Sequence, residues 1–297
     1  MASMMSRLAP IVIRLRGSRR KFSTAQRTLD DIEKLQRNPQ SFAPTPRLSA
    51  KVDITRRDVG GWPVYYVSPK TVQPTRRAIY LHGGCYVYEI DPVHWSFIAN
   101  IAVEAGITVI VPIMPLAPKG TASEVVPAVT DLAVSVMADV GAENLSIVGD
   151  SAGGGMALAV ALELRDRGLP KLHRLVLIAP WLDISGTDPM LEVIAPSDPW
   201  LAVPGTHAAG ALYRAELAED DWRVSPIHGD LTGIGPITIF SGTLDIVHAD
   251  AIRFLPLALA AGVEVDYHEG FRMLHVYPIL PMPEGTAARA VVVTASR

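Results

Sequence analysis

Short apolar runs rich in β-branched residues alternate with longer runs of helical character along the chain after residue 50. Eight short runs predict strands, at residues 51–55, 64–67, 78–81, 107–112, 145–148, 174–178, 237–240 and 263–267. Three longer runs, each followed directly by a glycine, predict helices at residues 95–105, 125–140 and 156–167. Strands separated by helices at this spacing predict an α/β fold with a mostly parallel central sheet and helices on both faces.

Two segments depart from this alternation. Residues 1–50 lack it, and residues 185–222 contain four prolines followed by a helical run at 207–217. We expect the second segment to be an insertion that lies over one end of the sheet, and the first segment to join it. Residues 51–297 would then form the core domain.

The composition narrows the class of protein. The chain has 297 residues, of which 49% are hydrophobic and 19% charged, as expected for a globular protein. A net charge of −3 argues against a nucleic-acid partner. A single cysteine, Cys85, excludes an internal disulfide and any multi-thiolate metal site. No run of about 18 apolar residues predicts a membrane-spanning helix. One cysteine and no secretory signal favour a cytoplasmic protein.

The first 29 residues carry an unusual charge. They contain no acid, and they carry a charge of +7, so the remaining 268 residues carry −10. The seven basic residues are Arg7, Arg14, Arg16, Arg19, Arg20, Lys21 and Arg27. This composition fits a mitochondrial transit peptide, a basic arm that contacts an anionic membrane, or a solvated helix packed on the domain edge. The alternation of Ile11, Ile13 and Leu15 favours the solvated helix, because these positions do not form a helical stripe.

The strongest local motif is G-x-S-x-G at residues 149–153, which lies between a predicted strand and a predicted helix. At such a junction a serine occupies a strained turn, and its hydroxyl projects from the carboxyl edge of the sheet. Ser151 is therefore the candidate nucleophile. His82-Gly83-Gly84 directly follows an earlier strand, and its glycine N–H groups, with that of Ala152, predict an oxyanion hole.

The base and the acid follow from the chain order nucleophile, acid, histidine. Among eight histidines, His275 lies in the loop after the last predicted strand. Asp245 follows the strand at 237–240 and precedes His275 by 30 residues, so it emerges at the same sheet edge as Ser151. Three other acids compete with Asp245 but lie at less suitable places along the chain: Asp183, Asp250 and Asp266.

These motifs resemble those of the hormone-sensitive-lipase-like branch of the α/β-hydrolases. The matching pieces occur in the family's order between about residues 50 and 280: His82-Gly83-Gly84, Leu116-Ala117-Pro118, residues 149–154, Pro180-Trp181-Leu182-Asp183, Ser225-Pro226, Gly242-Thr243-Leu244-Asp245 and His275 before Tyr277-Pro278. The resemblance implies an α/β-hydrolase core under a helical cap, which residues 1–50 and about 185–222 would form.

The resemblance also implies an esterase that needs no cofactor, with Ser151, Asp245 and His275 as triad and Gly83, Gly84 and Ala152 as oxyanion donors. The sequence departs from the family pattern at Cys85, where a third glycine is usual. It departs again at residues 119–121, where an acid, a histidine and a proline are usual, and at Leu244, where a charged residue is common.

We therefore predict a serine carboxylesterase for short- to medium-chain esters, because a cap and Cys85 would restrict the acyl pocket. The pocket candidates are Cys85, Trp181, Trp200 and Tyr213. No motif predicts a metal or nucleotide. An amidase or peptidase with the same triad, and a non-catalytic binding protein on the same fold, remain alternatives. The expected partner is a small-molecule ester; contact of the basic N-terminus with a membrane and a homodimer stay open.

Overall fold

The computed structural model describes residues 3–297 and contains one sheet of eight strands. In chain order these strands are β1 (Val52–Val59), β2 (Trp62–Pro69), β3 (Arg77–Leu81), β4 (Thr108–Pro112), β5 (Leu145–Asp150), β6 (Arg174–Ile178), β7 (Ile237–Gly242) and β8 (Val265–Gly270). Each overlaps one of the eight predicted strands, so the predicted alternation of strands and helices is confirmed.

Ten helices accompany the sheet within the same residues. They are α1 (Met4–Leu15), α2 (Ser18–Phe22), α3 (Ala25–Arg37), α4 (Pro92–Ala105), α5 (Ala122–Val140), α6 (Ala152–Asp166), α7 (Met190–Ile194), α8 (Val203–Arg214), α9 (His248–Ala260) and α10 (Pro283–Ala295). None of these helices in residues 3–297 combines the length and the apolar character needed to cross a membrane.

The strand order is β1-β2-β4-β3-β5-β6-β7-β8, with β1 and β2 antiparallel and the six other strands parallel to one another. All six residues of β5 and of β7 are buried, as expected for strands with helices on both faces. Helix α4 packs beside α10, and α5 packs beside α6. The carboxyl ends of β3, β5, β7 and β8 therefore lie along one edge, where Ser151, Asp245 and His275 follow them.

Helices α2 and α3 pack against α8, so the N-terminal segment and the 185–222 segment form one helical layer. Gly205 allows this close approach, since a Cβ there would lie 2.4 Å from Cα of Phe22 and 2.5 Å from the Thr28 hydroxyl. Helix α8 begins before the predicted residue 207, because Pro204 is tolerated in the first helical turn. The division of the chain into cap and core domains stays a prediction.

The observed helix boundaries differ most from the predicted ones where glycines pack closely against neighbouring backbone. Helix α6 begins at Ala152 and not at 156, so Gly153, Gly154 and Gly155 are helical. A Cβ on Gly153 would lie 2.0 Å from the Leu81 carbonyl oxygen, and one on Gly155 would lie 2.1 Å from that of Trp181. Close packing against the sheet edge thus outweighs the low helix propensity of glycine. Helix α10 has no counterpart among the predicted elements.

Candidate active site

Ser151 occupies the turn between β5 and α6. Its backbone angles are φ 54° and ψ −121°, an unusual conformation for a residue with a side chain, and its N–H donates to the Ile178 carbonyl at 2.8 Å. The neighbouring glycines are required by space, since a Cβ on Gly149 would lie 2.2 Å from the Gly153 carbonyl oxygen. The buried turn therefore holds the hydroxyl in a fixed position at the sheet edge.

A continuous chain of hydrogen bonds joins Ser151, His275 and Asp245. The Ser151 hydroxyl lies 2.9 Å from Nε2 of His275, and Nδ1 of His275 lies 2.7 Å from Oδ2 of Asp245. The other carboxylate oxygen of Asp245 accepts the Val247 N–H at 3.2 Å. All three side chains are buried. This geometry lets the imidazole accept the serine proton at Nε2 while Nδ1–H donates to the carboxylate.

The charge around His275 favours its protonated form. Burial alone would lower the pKa of His275, but the Asp245 carboxylate and its hydrogen bond, with the charges of Asp198 and Asp150, raise it above its ordinary value. Residues from two loops hold this arrangement, because the Leu244 N–H donates to the Met273 carbonyl at 3.0 Å. The imidazole is therefore poised to take up a proton.

A second buried network lies on the other side of Ser151 and holds the His82-Gly83-Gly84 loop. One oxygen of Asp150 accepts the Gly83 N–H at 3.0 Å and the Tyr80 hydroxyl at 2.6 Å, and the other lies 3.3 Å from Nε2 of His94. Burial would lower the pKa of His94, but the carboxylates of Asp150 and Asp91 raise it to about 10. His94 is therefore cationic at neutral pH, and the pKa of Asp150 is lowered.

This network changes the oxyanion assignment made from the sequence. The Gly83 N–H is occupied by Asp150, so it is not free to receive an oxyanion. In residues 3–297 the N–H groups of Gly84, Cys85 and Ala152 have no acceptor. Cys85 has φ +53°, and Gly84 must be glycine, since its φ is +120° and a Cβ would lie 2.5 Å from the Tyr88 carbonyl oxygen. The backbone N–H of Cys85 is a donor candidate that sequence reasoning missed.

Asp198, in the 185–222 segment, is a third buried carboxylate near the triad. It accepts N–H groups from Trp200 at 2.7 Å, Leu201 at 2.9 Å and Ile246 at 2.9 Å, so it ties this segment to the residue after Asp245. Burial and the nearby Asp245 charge raise the pKa of Asp198 to about 6. No motif in the sequence distinguishes Asp198 from the other acids, because its position depends on how the segment packs.

The cavity beside Ser151 and His275 has a volume of about 350 Å³. Its wall includes Cys85, Trp200 and the side of α2 that carries Lys21 and Phe22. Burial and the Asp245 charge raise the pKa of Cys85 to about 12, so its thiol stays protonated. The Trp200 ring meets His275 edge-on, with ring centroids 6.1 Å apart. Two of the four pocket candidates thus lie at the cavity.

The other two candidates do not line this cavity. Tyr213 stacks on Tyr86 with ring centroids 3.6 Å apart, and the Trp181 ring also stacks with Tyr86, with centroids 5.7 Å apart. The three rings are buried, and neither Trp181 nor Tyr213 lines the cavity beside Ser151, so their contact with substrate stays a prediction. Their aromatic character reflects packing of the 185–222 segment on the core.

A second cavity of about 310 Å³ adjoins the first, and both are lined by Gln40 and Glu89. Its other walls are mostly apolar, from α3 and from residues 113–117. One carboxylate oxygen of Glu89 is buried without a hydrogen-bond partner, and burial raises the pKa of Glu89 to about 7. Glu89 therefore places an ionisable group between the two cavities, a feature that the sequence analysis did not single out.

The acids that compete with Asp245 for His275 are engaged elsewhere. Asp183 pairs with Arg253 at 2.7 Å, and Asp250 accepts the Leu182 N–H at 2.8 Å. Burial raises the pKa of Asp250 to about 7. Asp266, on β8, lies 2.9 Å from His268. Across residues 3–297, no group of three or more His, Cys, Asp or Glu side chains could hold a metal ion.

Comparisons with known proteins agree with this geometry. The family described as alpha/beta hydrolase fold matches residues 78–279. A triacylglycerol lipase of Mycobacterium tuberculosis is 33% identical over 222 residues, which cover 74% of this chain and 45% of the lipase. An acetyl-hydrolase of Streptomyces hygroscopicus is 31% identical over 224 residues, covering 70% of this chain and 72% of the relative.

Solved structures are similar over the whole chain. A crystal structure of an esterase from the bacterial hormone-sensitive lipase family superposes with a TM-score of 0.83 at 25% identity, covering 100% of this chain and 98% of the other. The family resemblance drawn from the sequence motifs is thereby confirmed. This chain matches less than half of the length of the Mycobacterium lipase, so that relative extends well beyond the shared region.

Proposed function

We propose that this chain, which belongs to the alpha/beta hydrolase fold family, hydrolyses short- to medium-chain carboxylic esters through a Ser151–His275–Asp245 acyl-enzyme mechanism. The observation that carries the proposal is the hydrogen-bonded chain from Asp245 through His275 to Ser151, beside backbone N–H groups without acceptors. The names of its relatives, a triacylglycerol lipase and an acetyl-hydrolase, support ester cleavage as the reaction class.

In the first half-reaction Nε2 of His275 takes the proton from the Ser151 hydroxyl, and the oxygen attacks the ester carbonyl carbon. The carbonyl π bond opens to an oxyanion. When the tetrahedral intermediate collapses, the bond to the alcohol oxygen breaks and His275 returns the proton to that oxygen. The alcohol leaves and the acyl group stays on Ser151. The Asp245 carboxylate orients the imidazole and stabilises the imidazolium in both steps.

In the second half-reaction His275 takes a proton from water, which attacks the acyl-enzyme. The second tetrahedral intermediate expels the serine oxygen, which regains the proton from Nε2, and the carboxylic acid leaves. We assign the N–H groups of Gly84, Cys85 and Ala152 as donors to the oxyanion in both halves. Each such donor is worth about 3 kcal/mol in the transition state.

The proposed preference for shorter acyl chains rests on the size and walls of the cavity. Its volume of about 350 Å³ lies at the small end of the range of about 300–1,000 Å³ for small-molecule sites. Cys85 and Trp200 occupy wall positions where smaller side chains would leave room. A long acyl chain would need to displace part of the wall or pass into the second cavity beyond Glu89.

A panel of p-nitrophenyl esters from acetyl to palmitoyl, with matching p-nitroanilides, tests this function on the purified chain. We expect ester hydrolysis that falls with long acyl chains and is lost in Ser151→Ala. Cleavage of anilides at comparable rates would establish an amidase instead. No turnover of any substrate, with retained binding, would make the chain a non-catalytic binding protein. Rates that rise steadily to palmitoyl would overturn the proposed chain-length preference alone.

A further inference from the structure

Within residues 3–297, helix α1 packs against α2 and α10, and Ser6 is its buried residue. The Ser3 and Ser6 hydroxyls lie 2.8 and 3.0 Å from the Glu284 carboxylate of α10, and Ser6 is buried. Near the other end, the Arg14 guanidinium donates to the Pro196 carbonyl at 3.2 Å. These contacts at both ends fix which face of α1 points outward.

The outward face of α1 is apolar. Six large apolar side chains of this helix are exposed, and they are Met4, Met5, Leu8, Ile11, Val12 and Leu15. At about 100° per residue they fall within one arc of about 120° around the helix axis. Leu15 is 82% exposed and Met4 76%. The argument against a helical stripe from Ile11, Ile13 and Leu15 is therefore wrong, because Ile13 lies on the opposite, partly buried side.

Basic residues border this apolar arc. Arg7 and Arg14 fall on one edge of the arc and Arg16, just after the helix, on the other. Arg19, Arg20 and Lys21 follow on α2, and no acid occurs in the first 29 residues. An apolar helical face flanked by basic side chains is typical of helices that lie in the interface of a membrane, where the basic groups meet anionic headgroups.

We propose that α1 docks the protein on anionic lipid membranes, with its apolar arc inserted at the depth of the headgroups. A second copy of the chain is a poorer occupant of this face. In a two-fold dimer the same surface lies on both partners, so Arg7, Arg14 and Arg16 at the border of the arc would be brought close to the same residues of the second copy. Anionic lipid satisfies both the apolar arc and its basic border.

Docking through α1 would also bring the catalytic cavity close to the membrane. Only Arg16 and Gly17 separate α1 from α2, and Ser18, Lys21 and Phe22 line the cavity that contains Ser151. An ester dissolved in the membrane would then enter the cavity near the lipid surface. This consequence rests on the proposed function, whereas the docking itself does not.

Co-sedimentation of the full chain with vesicles tests the proposal. The probes are phosphatidylcholine vesicles with and without phosphatidylglycerol. The variant Ile11→Asp/Leu15→Asp places charges on the apolar arc, and Leu257→Asp/Leu259→Asp alters two exposed leucines on α9 as a matched control. A third variant, Arg7→Gln/Arg16→Gln/Arg20→Gln, removes charge but keeps the arc. Melting temperature and hydrolysis of soluble p-nitrophenyl butyrate check that each variant is folded.

We expect binding to the anionic vesicles that weakens with salt, and little binding to phosphatidylcholine alone. The arc variant should reduce partition by about tenfold or more, and the charge variant by a similar factor, while the α9 control binds like the wild type. The proposal is overturned if the wild type binds neither kind of vesicle, or if the arc variant binds the anionic vesicles as strongly as the wild type does. It is also overturned if Ile11 and Leu15 govern dimerisation in size-exclusion chromatography without vesicle binding. Hydrolysis of soluble ester reports separately on the proposed function.

Discussion

Buried carboxylates lie on both sides of Ser151, but they face different partners. On the side of the Gly83–Gly84 loop, Asp150 meets the cationic His94, the Tyr80 hydroxyl and a backbone N–H, and its pKa is lowered. On the side of the imidazole, Asp245 contacts His275 directly, and the charge of the nearby Asp198 acts on both residues without touching His275. Within residues 3–297, neither Asp245 nor Asp198 forms an ion pair with a lysine or an arginine.

The difference distinguishes a fixed scaffold, formed by Asp150 and His94, from a site beside His275 where a positive charge develops during the proposed reaction. The pair of Asp150 and His94 is balanced before any substrate binds, so it can hold the loop without change. In the proposed mechanism, the carboxylates beside His275 gain a cation only when the imidazole takes the serine proton. Their attraction to that imidazolium is therefore largest in the transition state, which is where an interaction accelerates a reaction.

Removal of the proposed nucleophile is expected to have the largest effect on activity and to leave the buried carboxylates on both sides of Ser151 in place. Ser151→Ala should lower kcat by about 10⁶-fold, because loss of a triad nucleophile removes covalent catalysis altogether. The melting temperature should stay within a few degrees of the wild type. Retention of more than about 1% of the wild-type rate would show that another residue attacks the ester.

Removal of the charge that orients the imidazole should come next. Asp245→Asn should lower kcat by about 10⁴-fold, because an amide favours the wrong imidazole tautomer. Asp183→Asn and Asp250→Asn are matched controls, since those buried acids contact Arg253 and backbone N–H groups and not His275. Steady-state kinetics with p-nitrophenyl butyrate measures all three. A larger loss in Asp183→Asn than in Asp245→Asn would contradict the assignment.

On the scaffold side the expected effect is mainly on stability. His94→Gln removes the cation from the buried pair with Asp150, which should cost about 3–5 kcal/mol in the free energy of unfolding. The pKa of His94 is raised to about 10 in the folded protein, against about 6.5 for an unperturbed histidine. Its stabilisation is therefore complete below about pH 6.5 and is lost as the pH rises through about 10.

Thermal unfolding between pH 6 and pH 10 measures this dependence. The wild type should lose stability across the upper part of that range, and His94→Gln should be less stable at pH 6 with a flatter profile. Arg289, which forms a partly exposed ion pair with Glu104, offers a comparison. Arg289→Gln should cost at most about 1 kcal/mol. Equal and parallel profiles for wild type and His94→Gln would show that His94 is neutral in the folded protein.

The sequence predicted best what depends on local pattern. β-Branched runs located all eight strands, and the small residues around Ser151 located the turn that bears it. The order of the motifs along the chain named the three residues that lie in one hydrogen-bonded chain. The strands and the turn depend on residues that are close together in sequence. The triad depends on the order of motifs along the chain, which the topology of the fold imposes.

What the sequence did not predict depends on contacts between distant segments. Asp150 occupies the Gly83 N–H because β3 and β5 are neighbours in register, with Leu81 opposite Gly149. The stack of Trp181 and Tyr213 on Tyr86 forms only when the 185–222 segment packs on the core. Asp198 reaches Ile246 by the same packing. No pattern of neighbouring residues specifies these three contacts.

Asp198 offers a subtler change on the imidazole side, because it acts on His275 without touching it. Its carboxylate holds the Ile246 N–H beside Asp245, and its charge contributes to the raised pKa of His275. The charged groups that favour the imidazolium are Asp245, Asp198 and Asp150, so removal of one leaves two. If Asp198 only braces the loop, its removal should not change the pH dependence of activity. If Asp198 also acts through its charge, its removal should change that dependence.

Asp198→Asn keeps the shape of the side chain but removes its charge. Since His275 must be neutral to accept the serine proton, loss of a nearby negative charge should lower the pKa of His275 and move the acid limb of kcat/KM to lower pH. At the same time kcat should fall by about tenfold, because the imidazolium loses part of its stabilisation. Asp183→Asn, which lies away from His275, should leave the limb in place. A lower rate at every pH with an unmoved limb would mean that Asp198 only braces the loop of Asp245.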